Sequence, residues 1–120
     1  YQGGLGHGRN VENIIEAFSK IIDKNKVIVF MGYGELESNV KKASYEYENI
    51  FYHKAVDPSI LLDYTSSADI GLSLIENTCK SYDYCMPNKM FEYLMAGVPV
   101  IVTNLKEMSR FVLIIRLVLC

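Results

Sequence analysis

The stretch Pro87-Asn88-Lys89-Met90-Phe91-Glu92-Tyr93-Leu94-Met95-Ala96-Gly97-Val98-Pro99-Val100-Ile101-Val102 joins a charged helix start to a glycine turn and an apolar strand. Pro87 has no backbone N–H to donate and suits the first turn of a helix. The helix is expected to run to about Met95, with Phe91, Leu94 and Met95 on the face that packs onto a sheet, because residues three and four apart are neighbours on a helix. Gly97 supplies the stop. Val98 to Val102 is a short apolar run with Pro99 near its start, which fits a strand buried between neighbours. Lys89 and Glu92 are three apart, and two readings accommodate them. They form a helix-surface ion pair worth roughly 0.2–0.5 kcal/mol, or Lys89 and the free N–H groups of the helix start face a phosphate while Glu92 accepts hydrogen bonds from ribose hydroxyls. Spacing alone leaves both open.

Working outward, the rest of the chain repeats this alternation of short apolar runs and amphipathic stretches. Tyr1 to Gly3 reads as the remnant of a first strand, followed by a glycine-rich loop through Gly8. A helix from about Val11 to Ile22 is expected to bury Ile14, Ile15, Phe18 and Ile22. Lys26 to Met31 is the second strand, and Gly32-Tyr33-Gly34 turns into a helix from about Glu35 to Tyr45. Asn49 to His53 gives a strand, Pro58 to Ser66 a helix, and Ala68 to Leu74 a strand that is apolar except for Asp69. A polar loop spans about Ile75 to Met86. Such alternation predicts an α/β fold, a Rossmann-like doubly wound parallel sheet with helices on both faces. Ligands of such sheets bind at the carboxyl ends of the strands, which places the loops after strands one and four at one site.

At 120 residues with a formal net charge of -2, the chain reads as one domain, residues 1–120, able to bury roughly two-thirds of its unfolded surface. The mixed distribution of Lys, Asp and Glu leaves no broad basic face, which argues against nucleic acid as a partner. Cys79, Cys85 and Cys120 are odd in number and lack the C-x-x-C spacing of zinc or redox sites, so they are expected to be reduced thiols in a cytoplasmic protein. No apolar run approaches the ~20 residues that span a bilayer, and no signal peptide is legible. The chain does not begin with Met, as expected of an excised domain or partial gene product.

The first loop, Gly3-Gly4-Leu5-Gly6-His7-Gly8-Arg9-Asn10, is either a plain turn or a phosphate cradle. Glycines let the backbone approach an anion closely, and the next helix offers unpaired N–H groups. The spacing is that of neither a Walker A loop nor a Rossmann G-x-G-x-x-G. Taken with the Pro87–Val102 stretch and the Ala-Gly-x-Pro-Val turn, this opening resembles the C-terminal, donor-binding domain of retaining GT-B glycosyltransferases (group 1, family 4-like). That group includes many bacterial polysaccharide and lipopolysaccharide sugar transferases. The resemblance covers the chain to about Phe111, including Tyr1-Gln2-Gly3-Gly4 and the helix from Val11 to Phe18.

The resemblance implies a sugar transferase using a nucleotide diphosphate sugar as donor and a glycan or lipid-linked glycan as acceptor, with no cofactor and no metal. The acceptor site and any acceptor-side catalytic residue would lie in an N-terminal domain outside this chain, so the catalytic residues are unknown and the fragment alone should bind donor without turnover. It also implies peripheral association of the full enzyme with the inner face of the membrane. In the resembled family the first loop offers an arginine and, five residues later, a lysine to the donor diphosphate. Gly4 stands at the arginine position and Arg9 at the lysine position, so one cation is kept and one is lost. Glu92 stands where the family's glutamate holds the ribose. The commonest family pattern has a second glutamate seven residues earlier, where this chain has Tyr84. The chain instead resembles the subgroup with Pro-Asn-Lys before the helix, in which Asn88 and Lys89 share the phosphate work and Lys89 replaces the cation missing at Gly4. Glu76 and Asp83 are the upstream carboxylate candidates, each also readable as a solvated loop residue.

Tyr82 and Tyr84 are placed either to contact base or sugar or to pin the loop by packing. His7 either faces the donor from the glycine loop or is an idle surface histidine, and His53, after an apolar strand, is expected to be structural. Asn10 and Ser38 fit helix-start or turn roles. No Ser-His-Asp set, metal cluster or H-E-x-x-H pattern is present in the sequence. Phe111 to Cys120 is apolar but for Arg116. It reads as a buried strand or helix or, because family members continue here into a mixed-polarity strand and a C-terminal helix, as a truncated or frame-shifted end. Apolar surface exposed there would drive self-association into a homo-oligomer. Two other functions fit the same residues: half of a nucleotide-sugar epimerase, and a non-catalytic nucleotide-binding or oligomerisation module.

Overall fold

The structure, a computed structural model, describes residues 1–76 and 88–110. The expectations attached to Cys79, Tyr82, Asp83, Tyr84, Cys85, Pro87 and the 111–120 tail lie outside the described residues. The chain divides between Leu61 and Leu62 into two compact units, each with its own parallel sheet.

In the first unit the order is α1 (Val11–Ser19), β1 (Ile28–Met31), α2 (Glu37–Glu46) and β2 (Ile50–His53). β1 and β2 pair in parallel from Ile28 opposite Ile50 to Met31 opposite His53. The opening residues lie along the other edge of β1 through a parallel bridge between Gln2 and Met31. There the Gly3 N–H donates to the Met31 carbonyl at 3.0 Å and the Met31 N–H to the Tyr1 carbonyl at 2.9 Å. The first-strand reading of Tyr1 to Gly3 therefore holds as local pairing. Leu5, Val11, Ile14, Ile28, Phe30, Leu36, Val40 and Ile50 are buried. Tyr1 joins them against Phe30, with ring centroids 5.6 Å apart.

Two expectations for this unit are corrected. α1 ends at Ser19 and leaves Ile22 93% exposed instead of on the packed face. The Phe18 carbonyl accepts from the Ile21 N–H at 3.2 Å and from the Asn49 side chain at 2.8 Å, which ties the end of the helix to the start of β2. The strand expected from Lys26 begins at Ile28, with Lys26 and Val27 exposed. In the sheet the paired residues Val29 and Phe51 stay nearly half exposed while Ile28 and Phe30 are buried.

In the second unit the described order is α3 (Leu61–Thr65, at the boundary), β3 (Gly71–Ser73), α4 (Asn88–Met95) and β4 (Val100–Val102), with residues 106–110 helical. β3 and β4 pair in parallel, Gly71 opposite Val100 and Ser73 opposite Val102. The core here is Ile75, Met90, Leu105 and Met108, with Val100 and Val102 packed against it.

Gly97 stops α4 as the sequence predicts, and the geometry shows how. Its φ is +73°, its N–H donates to the Leu94 carbonyl at 3.1 Å, and the Val98 N–H reaches back to the Tyr93 carbonyl at 2.9 Å. This pair of bonds is a Schellman motif, which satisfies two carbonyls that the helix end would leave open. Tyr93 and Val98 are both buried at the position where that motif places an apolar contact.

The packed face of α4 differs from the expected one. Met90 and Tyr93 are buried, whereas Phe91 is 36% and Met95 72% exposed. Five apolar residues surround this short helix, so periodicity allows more than one face, and Gly71 decides between them. A Cβ on Gly71 would stand 2.4 Å from the Tyr93 ring. The bare glycine lets the ring lie against β3, and the Tyr93 hydroxyl donates to the Leu72 carbonyl at 3.2 Å.

Candidate functional site

The predicted site residues fall into two clusters, one in each unit. In the first unit, the glycine loop is stitched to the turn that follows β1. The Leu5 N–H donates to the Tyr33 carbonyl at 2.9 Å, and the Leu5 carbonyl accepts from the Leu36 N–H at 2.8 Å. Gly32 makes this approach possible, because a Cβ there would lie 1.9 Å from the Gly3 carbonyl oxygen. The loop thus stands at the carboxyl end of β1, where parallel sheets bind ligands. Gly4 and Gly6 have open space where a side chain would begin, and the Gly4 carbonyl accepts from the Tyr1 hydroxyl.

Arg9 is half-buried and has no ion pair or side-chain hydrogen bond among the described residues. Asn10, at the start of α1, adopts a left-handed backbone with φ +59° and makes no side-chain cap of the helix. Its side-chain carbonyl instead accepts from the Asn13 amide at 2.8 Å. The helix-start role read for Asn10 is thereby a matter of backbone turn rather than of N–H capping.

Two neighbours of the loop were not legible as a set. His7 Nδ1 lies 3.7 Å from a Glu12 carboxylate oxygen and its Nε2 lies 3.6 Å from one of Glu35. Behind the loop, the Tyr52 hydroxyl donates to Glu37 at 2.8 Å, and Lys41 donates to the same oxygen at 3.0 Å while lying 5.0 Å from the Tyr52 ring centroid. The hydrogen bond from Lys41 is the main influence holding the Glu37 carboxyl below its ordinary value, with that from Tyr52 adding to it. The i, i+4 spacing of Glu37 and Lys41 was a usable signal; the participation of Tyr52 from β2 was not.

In the second unit, Glu76 is half-buried just beyond β3, Asn88 is exposed at the first turn of α4, and Glu92 is half-buried one turn on. Lys89 is 8% exposed and is not a free cation. The lysine lies on the buried side of α4 beside Met90. Nearby, the Ser73 and Thr103 hydroxyls are buried without a hydrogen-bond partner among the described residues. Such hydroxyls are costly to leave unpaired, by about 1–3 kcal/mol each. Nothing in the alternation of the strands singled them out.

Parallel strands joined through helices, with a glycine loop at a strand's carboxyl end, define an α/β protein. The chain belongs to the family described as glycosyl transferases group 1, whose model matches residues 1–113. A role in glycosyl transfer follows, with a nucleotide-sugar donor and a glycan acceptor as the partners that the family implies. No curated protein and no solved structure gives a significant match to the chain.

Proposed function

We propose that this chain is the donor-binding half of a two-domain GT-B enzyme that moves a hexosyl group from a nucleotide diphosphate sugar to a glycan or lipid-linked acceptor. In this reading the chain has the Rossmann-like, doubly wound fold of such a half. The work is done in the cytoplasm at the inner membrane face, as in polysaccharide or lipopolysaccharide synthesis. The donor-binding residues are Gly4, Arg9, Glu76, Asn88, Lys89 and Glu92. As the bond between the anomeric carbon and the diphosphate oxygen breaks, negative charge grows on the leaving diphosphate. Arg9, Lys89 and helix-start N–H groups supply the opposing charge, and Glu92 orients the ribose.

Arg9 carries this reading. It is a cation on an anchored glycine loop, without an ion-pair partner among the described residues, in a chain of a glycosyltransferase family. Affinity is the deciding observable. Calorimetric titration with UDP, GDP, ADP, their sugar conjugates and the parent nucleosides, without divalent metal, is expected to find one saturable base class. Arg9→Ala should weaken diphosphates about tenfold, ~1.4 kcal/mol, and leave nucleosides unchanged. Glu92→Gln should weaken every ribose-containing ligand. Equal loss of nucleoside and diphosphate in Arg9→Ala would make Arg9 a support of the fold, and unchanged affinity in Glu92→Gln would remove it from the site.

A further inference from the structure

The turn after β1 carries an exposed ring that the proposed function does not use. Past the end of β1 the opening segment keeps its register along the chain. The Gly3 N–H donates to the Met31 carbonyl at 3.0 Å and, two residues further on each side, the Leu5 N–H donates to the Tyr33 carbonyl at 2.9 Å. Gln2 is the bridge partner of Met31, so the same step sets Gly4 beside Tyr33. Residues opposite one another in a parallel ladder present their side chains on the same side of it. The Tyr33 side chain is thus placed next to the gap at Gly4, where nothing lies within 4 Å of the Cβ that glycine lacks. Both neighbours of Tyr33 hold it there. A Cβ on Gly32 would run into the Gly3 carbonyl and one on Gly34 into the Leu5 carbonyl, so the two glycines let the turn close onto the loop on either side of the tyrosine. Leu5 is fully buried and anchors the loop from below.

Tyr33 itself is 73% exposed, and its side chain makes no hydrogen bond, ion pair or ring contact among the described residues. Single exposed aromatic residues are ordinary on a protein surface, as Tyr45 on α2 illustrates. What sets Tyr33 apart is its mounting: a backbone pinned on both sides, at the carboxyl end of a parallel strand where ligands of such sheets bind, beside an open gap. A tyrosine offers a flat face on only two side-chain torsions, so contact costs it little entropy, and every nucleobase has a π face to lay on it. We infer that Tyr33 is the platform on which the donor's nucleobase stacks, the gap at Gly4 leaving room for the base. The inference deepens the donor-site reading of the glycine loop and rests on it. Tyr33 and Arg9 then divide the ligand, the ring taking the base and the guanidinium the diphosphate. Stacking tolerates any base, so Tyr33 supplies affinity rather than the choice among bases.

The test is calorimetry on the full chain with uridine, guanosine and adenosine, their diphosphates, the corresponding nucleotide sugars and inorganic pyrophosphate. The chains compared are the parent, Tyr33→Ala, Tyr33→Phe and Arg9→Ala. Tyr33→Ala should weaken nucleoside, diphosphate and nucleotide sugar alike by about tenfold, the usual scale of a base–aromatic contact removed by alanine, and leave pyrophosphate unchanged. Tyr33→Phe keeps the ring and should bind as the parent does. Nucleoside affinity unchanged in Tyr33→Ala, with Arg9→Ala still losing diphosphates selectively, would overturn the stacking and leave the donor-site reading standing. A loss confined to nucleotide sugars would put the ring against the sugar, and weakened pyrophosphate would make it a prop of the loop; either overturns the base platform. Absence of saturable binding by every ligand, in a parent chain shown to be folded by circular dichroism, would overturn both readings.

Discussion

Gly32→Ala is the substitution whose consequence the structure fixes most tightly. The added Cβ would stand 1.9 Å from the Gly3 carbonyl oxygen and 2.9 Å from its carbon, both backbone atoms that no rotamer change can move aside. The opening segment must therefore withdraw by about an ångström before the contact is even tight. Withdrawal strains or breaks the Gly3-to-Met31 and Met31-to-Tyr1 hydrogen bonds and the bond from the Tyr1 amino group to the Val29 carbonyl. Overpacking of this kind costs about 1–3 kcal/mol, and each lost backbone bond adds ~0.5–1.5 kcal/mol. A loss of about 2–4 kcal/mol is expected, a large part of the ~5–15 kcal/mol that holds a domain folded. Urea unfolding followed by far-ultraviolet circular dichroism measures it. Gly4→Ala is the matched control, since nothing lies within 4 Å of the Cβ it would add. Both substitutions stiffen the unfolded chain alike, so their difference isolates the native-state clash. Gly32→Ala unfolding within 0.5 kcal/mol of Gly4→Ala, roughly the scatter of neutral surface changes, would refute the reasoning.

The same open space at Gly4 predicts a gain: Gly4→Arg should strengthen nucleoside diphosphate binding about three- to tenfold and leave nucleosides unaffected, as read by calorimetry. Gly71→Ala should expel the Tyr93 ring from β3 and destabilise the second unit by at least ~2 kcal/mol, measurable by hydrogen exchange at Leu72 and Ser73. Glu37 titrates below its ordinary 4.5, held there first by the hydrogen bond from Lys41 and then by that from Tyr52. Its stabilising contribution is complete above pH 4.5 and is lost as pH falls through the lowered folded value. Glu37→Gln should flatten that acid limb in thermal melts between about pH 5 and pH 2. An unchanged limb would assign acid sensitivity to other carboxylates.

What the sequence determined by itself was the kind and order of the elements and, at Gly97, the point where one of them stops. Apolar runs at 28–31, 50–53 and 100–102, set between amphipathic stretches, could only become short strands alternating with helices. Gly97 ended α4 because a left-handed residue there costs glycine little. Arg9 and Glu92 were legible as candidates because a resemblance gave their positions a meaning that spacing did not. Tertiary packing decided the rest. α4 carries apolar residues around most of its surface, so its buried face was chosen by a gap, the missing side chain of Gly71, in a strand more than twenty residues away. Lys89 was drawn to the buried side of that same helix. The end of α1 was tied to β2 by Asn49, the pull on Glu37 came partly from Tyr52, and His7 came to lie between Glu12 and Glu35. Each depends on residues distant in sequence meeting within a few ångströms. Local propensity encodes backbone conformation, but such meetings are fixed only when the elements pack.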